Sequence, residues 1–229
     1  MLTLDLIPEM KIADNLKLSA LLNKLTSQII LFSQVQLVPS YTHEILLEAG
    51  AAPSWINTQE WRVYVATGAV LEKIRKEYVE RASYGIQGSS DFPVTRRTSW
   101  SPQAQANMSR LMQRAADLNV SKEWDESENA LFHAPAAVYL TLPKDANKWA
   151  IMDMGGFEQT LLLSATNKGV DSITAYSMVK YPDVIRKYLN VPENYAVAIG
   201  IALGYASDSK INTFRSERMT LNQFAKFSE

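Results

Sequence analysis

The sequence predicts an α+β fold in which a central, mostly antiparallel sheet is flanked by helices. Two observations carry this. Roughly four strand-like runs alternate irregularly with six or seven helical runs, without the regular strand–helix repeat of a doubly wound sheet. No glycine-rich phosphate turn of the dinucleotide-binding or P-loop type occurs either, since Gly155 and Gly156 fall inside a helical pattern.

The elements follow in order. Leu16, Leu18, Leu21, Leu22 and Leu25 form a helical stripe suited to a core or a partner surface, whereas residues 29–32 are apolar but too short to classify. Ser40 is expected to cap a helix over residues 41–50, with Ile45, Leu46 and Ala49 on one face and Pro53 stopping it. Alternation from Trp61 to Thr67 gives a strand ending at Gly68. A helix over residues 69–82 then turns Leu71, Ile74, Tyr78 and Val79 inward. Residues 84–101 read as a loop. Ser101 and Pro102 start the next helix, which continues to about Leu118 through Met108, Leu111, Met112 and Ala115. Residues 119–133 are polar and loosely helical, and residues 136–142 alternate as a strand closed by Pro143.

Residues 147–168 are the clearest helix. Ala150, Met154, Phe157, Leu161 and Ala165 keep helical spacing, Leu162 adds a second row, and Gly169 sits where a left-handed cap belongs. A helix apolar over most of its circumference needs burial on two sides, by the sheet and by another helix or subunit. A strand over residues 170–176, a helix over 182–189 and a strand over 195–204 precede a polar tail.

Composition narrows the chemistry. With 23 basic and 24 acidic residues the net charge is -1, so no broad cationic field awaits nucleic acid. Cysteine is absent, which removes disulfides, thiolate metal sites and thiol nucleophiles. The two histidines, His43 and His133, show no metal-ligand spacing, so no metal is expected. The start of the chain lacks a basic n-region, and the apolar run 195–205 is too short to span a bilayer and contains two glycines. A cytoplasmic protein without membrane contact is expected, its chemistry supplied by a bound cofactor.

One segment is more specific. Ala51-Ala-Pro-Ser-Trp-Ile-Asn-Thr-Gln-Glu-Trp-Arg62 joins a helix to a strand and gathers a Ser hydroxyl, an Asn carboxamide and backbone amides at a sheet edge. Ser and Asn at such a junction also serve simply as turn caps. Trp61 reads as core; Trp55 and Trp100 suit either packing or stacking on a substrate. Arg96 and Arg97 read as a solvated loop pair, or as a nicotinamide-phosphate contact.

This segment resembles the Ala-Pro-Ser-x-x-Asn-x-Gln-Pro-Trp motif of the FMN-dependent nitroreductase family. A second stretch resembles it in the same order, through Gly156-Phe-Glu-Gln-Thr-Leu-Leu-Leu-Ser-Ala-Thr-Asn-Lys-Gly-Val-Asp, Val184-Ile-Arg-Lys-Tyr-Leu-Asn-Val-Pro-Glu and Gly200-Ile-Ala-Leu-Gly-Tyr. The flavour is that of the nitrobenzoate-reductase-like branch, whose ends are similar to Arg215-Ser-Glu-Arg218. The resemblance implies a three-layer nitroreductase-like fold occupying residues 1–229 as a single domain. Residues 1–32 would be an N-terminal helical segment, and residues 205–229 an arm exchanged within a homodimer. It also implies FMN at the subunit interface, with NAD(P)H and a small nitroaromatic or quinone-like acceptor using the same flavin face in turn. Carried over residue by residue, the cofactor-side positions are Gln28, Ser54, Asn57, Asp153, Tyr176, Ser177, Arg215 and Arg218, with no catalytic side chain.

One part of the family pattern is missing. Where the family has Arg-Arg-Ser-x-Arg-x-Phe, this chain reads Thr26-Ser-Gln-Ile-Ile-Leu-Phe32. Losing two charge-assisted hydrogen bonds to the phosphate weakens binding by about 3–6 kcal/mol, or about two to four decades. The alternative implied is a flavin-poor relative working as a binding or regulatory homodimer.

Overall fold

A computed structural model describes residues 31–228. The stripe at residues 16–25, the Thr26–Ile30 stretch and Gln28 lie outside the described residues. Among the described residues are α1 (Pro39–Ala49), β1 (Arg62–Thr67), α2 (Gly68–Ser83), α3 (Pro102–Asp117), α4 (Ser121–Asn129), β2 (Ala136–Pro143), α5 (Lys148–Asn167), β3 (Asp171–Ala175), α6 (Pro182–Leu189), β4 (Tyr195–Gly204) and α7 (Leu221–Phe224). The strands form one sheet in the order β1-β2-β4-β3, every pair antiparallel. The α+β class expected from the sequence is therefore the class observed.

Side-chain alternation splits the core between the two sheet faces. Ala137 and Tyr139 of β2 join Val197 and Ala202 of β4 in a cluster with Leu71, Ile74 and Tyr78 of α2 and Val184 and Ile185 of α6. Ala136, Val138, Leu140 and Leu142 point the other way, into a cluster with Ile45 and Ala49 of α1 and Met154, Phe157 and Leu161 of α5. Three layers result, helices α2 and α6, the sheet, then α1 and α5. Trp61 belongs to this second cluster and packs on Phe157 at 5.1 Å between ring centroids.

Helix starts follow their chemistry. Asn147 caps α5, its Oδ1 accepting from the Trp149 and Ala150 amides, and Ser101 Oγ accepts from Ala104 N–H at the start of α3. α1 begins two residues earlier than Ser40 as its cap would have it. Pro39 takes the first helical position and Val38 stands at the cap, a start set by proline geometry rather than by a side-chain acceptor. Val79 and Met112 face outward, at 45% and 41% exposure. Each lies one position beyond an inward i, i+3, i+7 row, which rotates it off the buried face.

α5 has one face in the core. Trp149, Ile151 and Met152 on its other side stay exposed, and a Cβ added at Gly155 or Gly156 would meet nothing within 4 Å. The sheet and α1 both pack on this helix, and the side that carries Trp149, Ile151 and Met152 is what the chain alone leaves uncovered.

Candidate functional site

The turn between α1 and β1 is strained and firmly held. Ile56, Asn57 and Gln59 all have positive φ, at 47°, 60° and 46°. For a β-branched residue such as Ile56 the left-handed region costs about 1–3 kcal/mol. Opposing contacts hold it there. Trp55 N–H donates to Asp153 Oδ2 at 2.9 Å, and the Trp55 ring stacks on Trp149. Ser54 Oγ accepts from Gln59 N–H at 3.2 Å, while Asn57 Oδ1 accepts from Gln59 Nε2 at 2.7 Å. Asp153 is buried on α5, and its carboxylate accepts a hydrogen bond from this turn.

A second arrangement lies at the end of β3. Among the described residues β3 has β4 as its single strand neighbour, so its other edge presents backbone donors and acceptors. The chain leaves β3 in a short turn over Tyr176–Val179. Gly200 of β4 lets that turn approach, because a Cβ there would stand 2.5 Å from Met178 Cβ. Tyr176 is exposed. Ser177 is buried, and its Oγ has no hydrogen-bond partner among the described residues.

A cavity of about 410 Å³ runs along this edge. Its walls include Trp124 and Glu128 of α4, Phe132, Glu158 of α5, Thr174, Tyr176, Ser177 and Arg218. That volume is in the range of small-molecule sites. Burial pushes the Glu158 carboxyl above its ordinary pKa, against the hydrogen bond donated by Thr174 Oγ1 at 2.7 Å. Glu128 is likewise raised, chiefly by burial, while the bond from Trp124 Nε1 at 2.8 Å pulls it down. Both carboxyls thus keep their protons to higher pH than free carboxylic acids do.

Arg218 borders a further cavity of about 440 Å³ between α3 and residues 216–223, which also includes Arg110, Arg114 and Glu217. Arg218 Nη1 donates to Ser216 Oγ and to the Glu217 carbonyl, and Arg215 Nη1 donates to the Asn212 and Phe214 carbonyls.

Of the expected positions, Tyr176, Ser177 and Arg218 therefore line one cavity. Ser54, Asn57 and Asp153 form a separate cluster that does not line it. Arg215 borders neither, and Gln28 lies outside the described residues. Sequence reading missed Glu128, Glu158 and Trp124. For Glu158 a signal existed, as it is one of two carboxylates in a helix that is apolar over most of its circumference.

Residues 35–205 match the model of the nitroreductase family. The nitroreductase NfnB of Mycolicibacterium smegmatis is 31% identical over 201 residues, covering 83% of this chain and 85% of its own. A nitrobenzene nitroreductase of Ectopseudomonas oleovorans is 28% identical over 193 residues, covering 80% and 85%. The crystal structure of the FMN-dependent nitroreductase NfnB from Mycobacterium smegmatis in complex with NADPH superposes with a TM-score of 0.83 at 25% identity, covering 93% of this chain and 100% of that one.

Proposed function

This chain belongs to the nitroreductase family, and from that premise we propose a homodimeric, cytoplasmic FMN oxidoreductase that uses NAD(P)H to reduce nitroaromatic or quinone-like acceptors. The observation that carries the reading is the cavity along β3, where an unpartnered buried hydroxyl, a free strand edge and an arginine line one space. These groups fit a flavin. Ser177 Oγ and the backbone donors of the Tyr176–Val179 turn suit ring heteroatoms, and Arg218 suits a phosphate. Bound FMN supplies hydride acceptance and donation, so the protein has to bind, orient and exclude water rather than provide a nucleophile.

The Ser54–Asn57 wall is assigned to the other protomer's flavin. Trp149, Ile151 and Met152 on α5, with Ile56 at 84% exposure, offer an apolar surface beside that wall. In a two-fold dimer the same patch pairs with itself, so each turn is carried toward the other chain's β3 cavity. The 205–229 arm ends in exposed Leu221, Phe224 and Phe227, apolar anchors suited to the second copy. Residues 1–229 then act as one domain.

The test is direct. Purified protein is expected to be yellow, or to become so with added FMN, and to bleach with NAD(P)H in the absence of oxygen. Colourless protein indifferent to both overturns the reading. The second reading, a flavin-poor regulatory dimer, is favoured by Thr26, Ser27 and Ile30 standing where the family has cations. Replacing Thr26, Ser27 and Ile30 with arginine separates the two. A large gain in FMN affinity marks a degenerate natural site, whereas an unchanged affinity means other residues hold the phosphate.

A further inference from the structure

We infer that the cavity between α3 and residues 216–223 recognises a phosphate of the reducing dinucleotide, with Arg110 and Arg114 as its cationic jaws and Glu217 as a built-in competitor. The inference rests on the proposed oxidoreductase reading and adds to it a second subsite of stated chemistry.

Arg110 and Arg114 are four residues apart on α3, so both project from one helix face. They converge on a single carboxylate. Arg110 Nε is 3.4 Å from Glu217 Oε2, and Arg114 Nη1 is 3.8 Å from Glu217 Oε1. Charge-assisted hydrogen bonds close to about 2.7–2.9 Å, so neither contact is a formed fork. Two guanidinium groups thus share one acid at long range, and Arg218 adds a third to the same walls. All three members of the ion-pair cluster, Arg110, Arg114 and Glu217, are about half exposed, at 50%, 48% and 60% of the side chain. Water and small anions can reach them.

A carboxylate spans this gap poorly. A phosphate monoester, with three terminal oxygens and close to two charges, or a pyrophosphate diester, with four terminal oxygens and two charges, can accept from both guanidinium forks at once. Met108, Leu111 and Met219 give the cavity an apolar side against which a purine can lie. Arg218 forms part of the wall of both cavities, so a ligand seated here reaches toward the β3 edge. A dinucleotide has that length and those groups. The shared chemistry is its phosphate, either the 2′-phosphate peculiar to NADPH or the pyrophosphate common to both nucleotides.

Steady-state kinetics of the FMN-loaded enzyme with NADPH and with NADH separate these sources. Arg110→Ala and Arg114→Ala are each expected to raise KM about tenfold, the equivalent of ~1.4 kcal/mol, with kcat within about twofold. A rise for NADPH alone assigns the 2′-phosphate; an equal rise for both assigns the pyrophosphate. Glu217→Gln is expected to lower KM several-fold, because it withdraws the competing charge. The proposal is overturned if both arginine variants keep the wild-type KM for both nucleotides, or if Glu217→Gln weakens binding as the arginine variants do, which is what a purely structural clasp between α3 and the C-terminal segment would give. Calorimetric titration of the same protein with adenosine 2′,5′-bisphosphate supplies a readout without turnover. Binding that vanishes in Arg110→Ala/Arg114→Ala supports an adenosine-phosphate site even if no dinucleotide is oxidised, an outcome in which the oxidoreductase reading alone fails. Turnover of NADPH with unaltered KM in the variants sinks the subsite and leaves that reading intact.

Discussion

Trp55 and Trp149 are stacked, with ring centroids 4.9 Å apart and planes inclined by 25°. One turn further along α5, Asp153 accepts the amide hydrogen of the same Trp55. Trp149 and Asp153 are thus an i, i+4 pair that grips one residue by both its ring and its backbone. What they grip is the beginning of a turn with three residues in the left-handed region. The Ser54–Asn57 turn, proposed above as a wall of the flavin site, owes its shape to a helix about 95 residues away, through the bond that Asp153 accepts from it.

Asp153→Ala is therefore expected to loosen the turn. Hydrogen bonds to charged groups contribute about 1.5–3 kcal/mol, so a stability loss of that size should appear in urea unfolding. Asp153→Asn keeps an acceptor oxygen and should lose less. If the turn also forms the flavin wall, FMN affinity falls in Asp153→Ala by more than stability alone would require; an unchanged FMN affinity separates the turn from the cofactor.

Asp91 anchors the loop after α2. Its Oδ2 accepts from Arg186 Nη2 and from Val197 N–H, both at 2.7 Å, and both side chains of the ion pair are largely buried. Removing one partner of a buried pair strands the other, at a cost of about 3–5 kcal/mol. Asp91→Ala should lower the unfolding midpoint accordingly, and a loss below about 1 kcal/mol would mean that the pair is solvated in solution.

How much of this was legible beforehand depends on the range of the contact. α5 was readable because its apolar rows and terminal glycine are local, β2 because alternation is local, and β4 because it is a continuous apolar run. The start of α1 was displaced because proline at the first helical position needs no polar cap. At the site, Ser54 and Asn57 stood out by motif, but their fixing by Asp153 spans 98 positions. Glu158 meets Thr174 across one helix–strand connection, and nothing in spacing alone reveals that α4, α5, β3 and Arg218 border one cavity.

Gly200→Ala tests the approach of the β3 turn to β4. The new methyl carbon would be 2.5 Å from Met178 Cβ, both on packed backbone, so neither can swing away. Overpacking of this kind costs about 1–3 kcal/mol. Thermal unfolding should record the loss, and FMN affinity should drop with it, since the displaced turn carries Tyr176 and Ser177.

Stability should respond to Glu158 as pH changes. Burial raises its carboxyl pKa in the folded chain above the unfolded value. Between the two values the folded state holds more protons than the unfolded state, so stability falls as pH rises from the ordinary carboxylate range through the raised pKa. Carboxylates held low by their partners, Glu48 beside Lys168 and Asp183 beside Arg81, act in the opposite sense. The difference between wild type and Glu158→Gln isolates the one group. The variant should gain relative stability as pH increases across that window, and parallel pH profiles for the two proteins would show that Glu158 titrates normally.

The exposed side of α5 makes the last prediction the most demanding. Met152 is 60% exposed and lies on the same helix as Trp149 and Ile151, away from the Met154–Phe157–Leu161 face that meets the sheet. In the chain alone, Met152→Arg costs little, since surface substitutions usually stay within about 0.5 kcal/mol. In a two-fold interface the same change brings two like charges into an apolar contact and strands both from water. The variant should therefore remain folded by circular dichroism yet run as a monomer in light scattering. FMN affinity should fall with dimerisation, because each β3 cavity then lacks the turn carried by the other protomer. A dimer that persists in Met152→Arg places the interface elsewhere. A monomer that binds FMN as tightly as wild type makes the β3 cavity sufficient by itself and assigns the Ser54–Asn57 turn no part in the site.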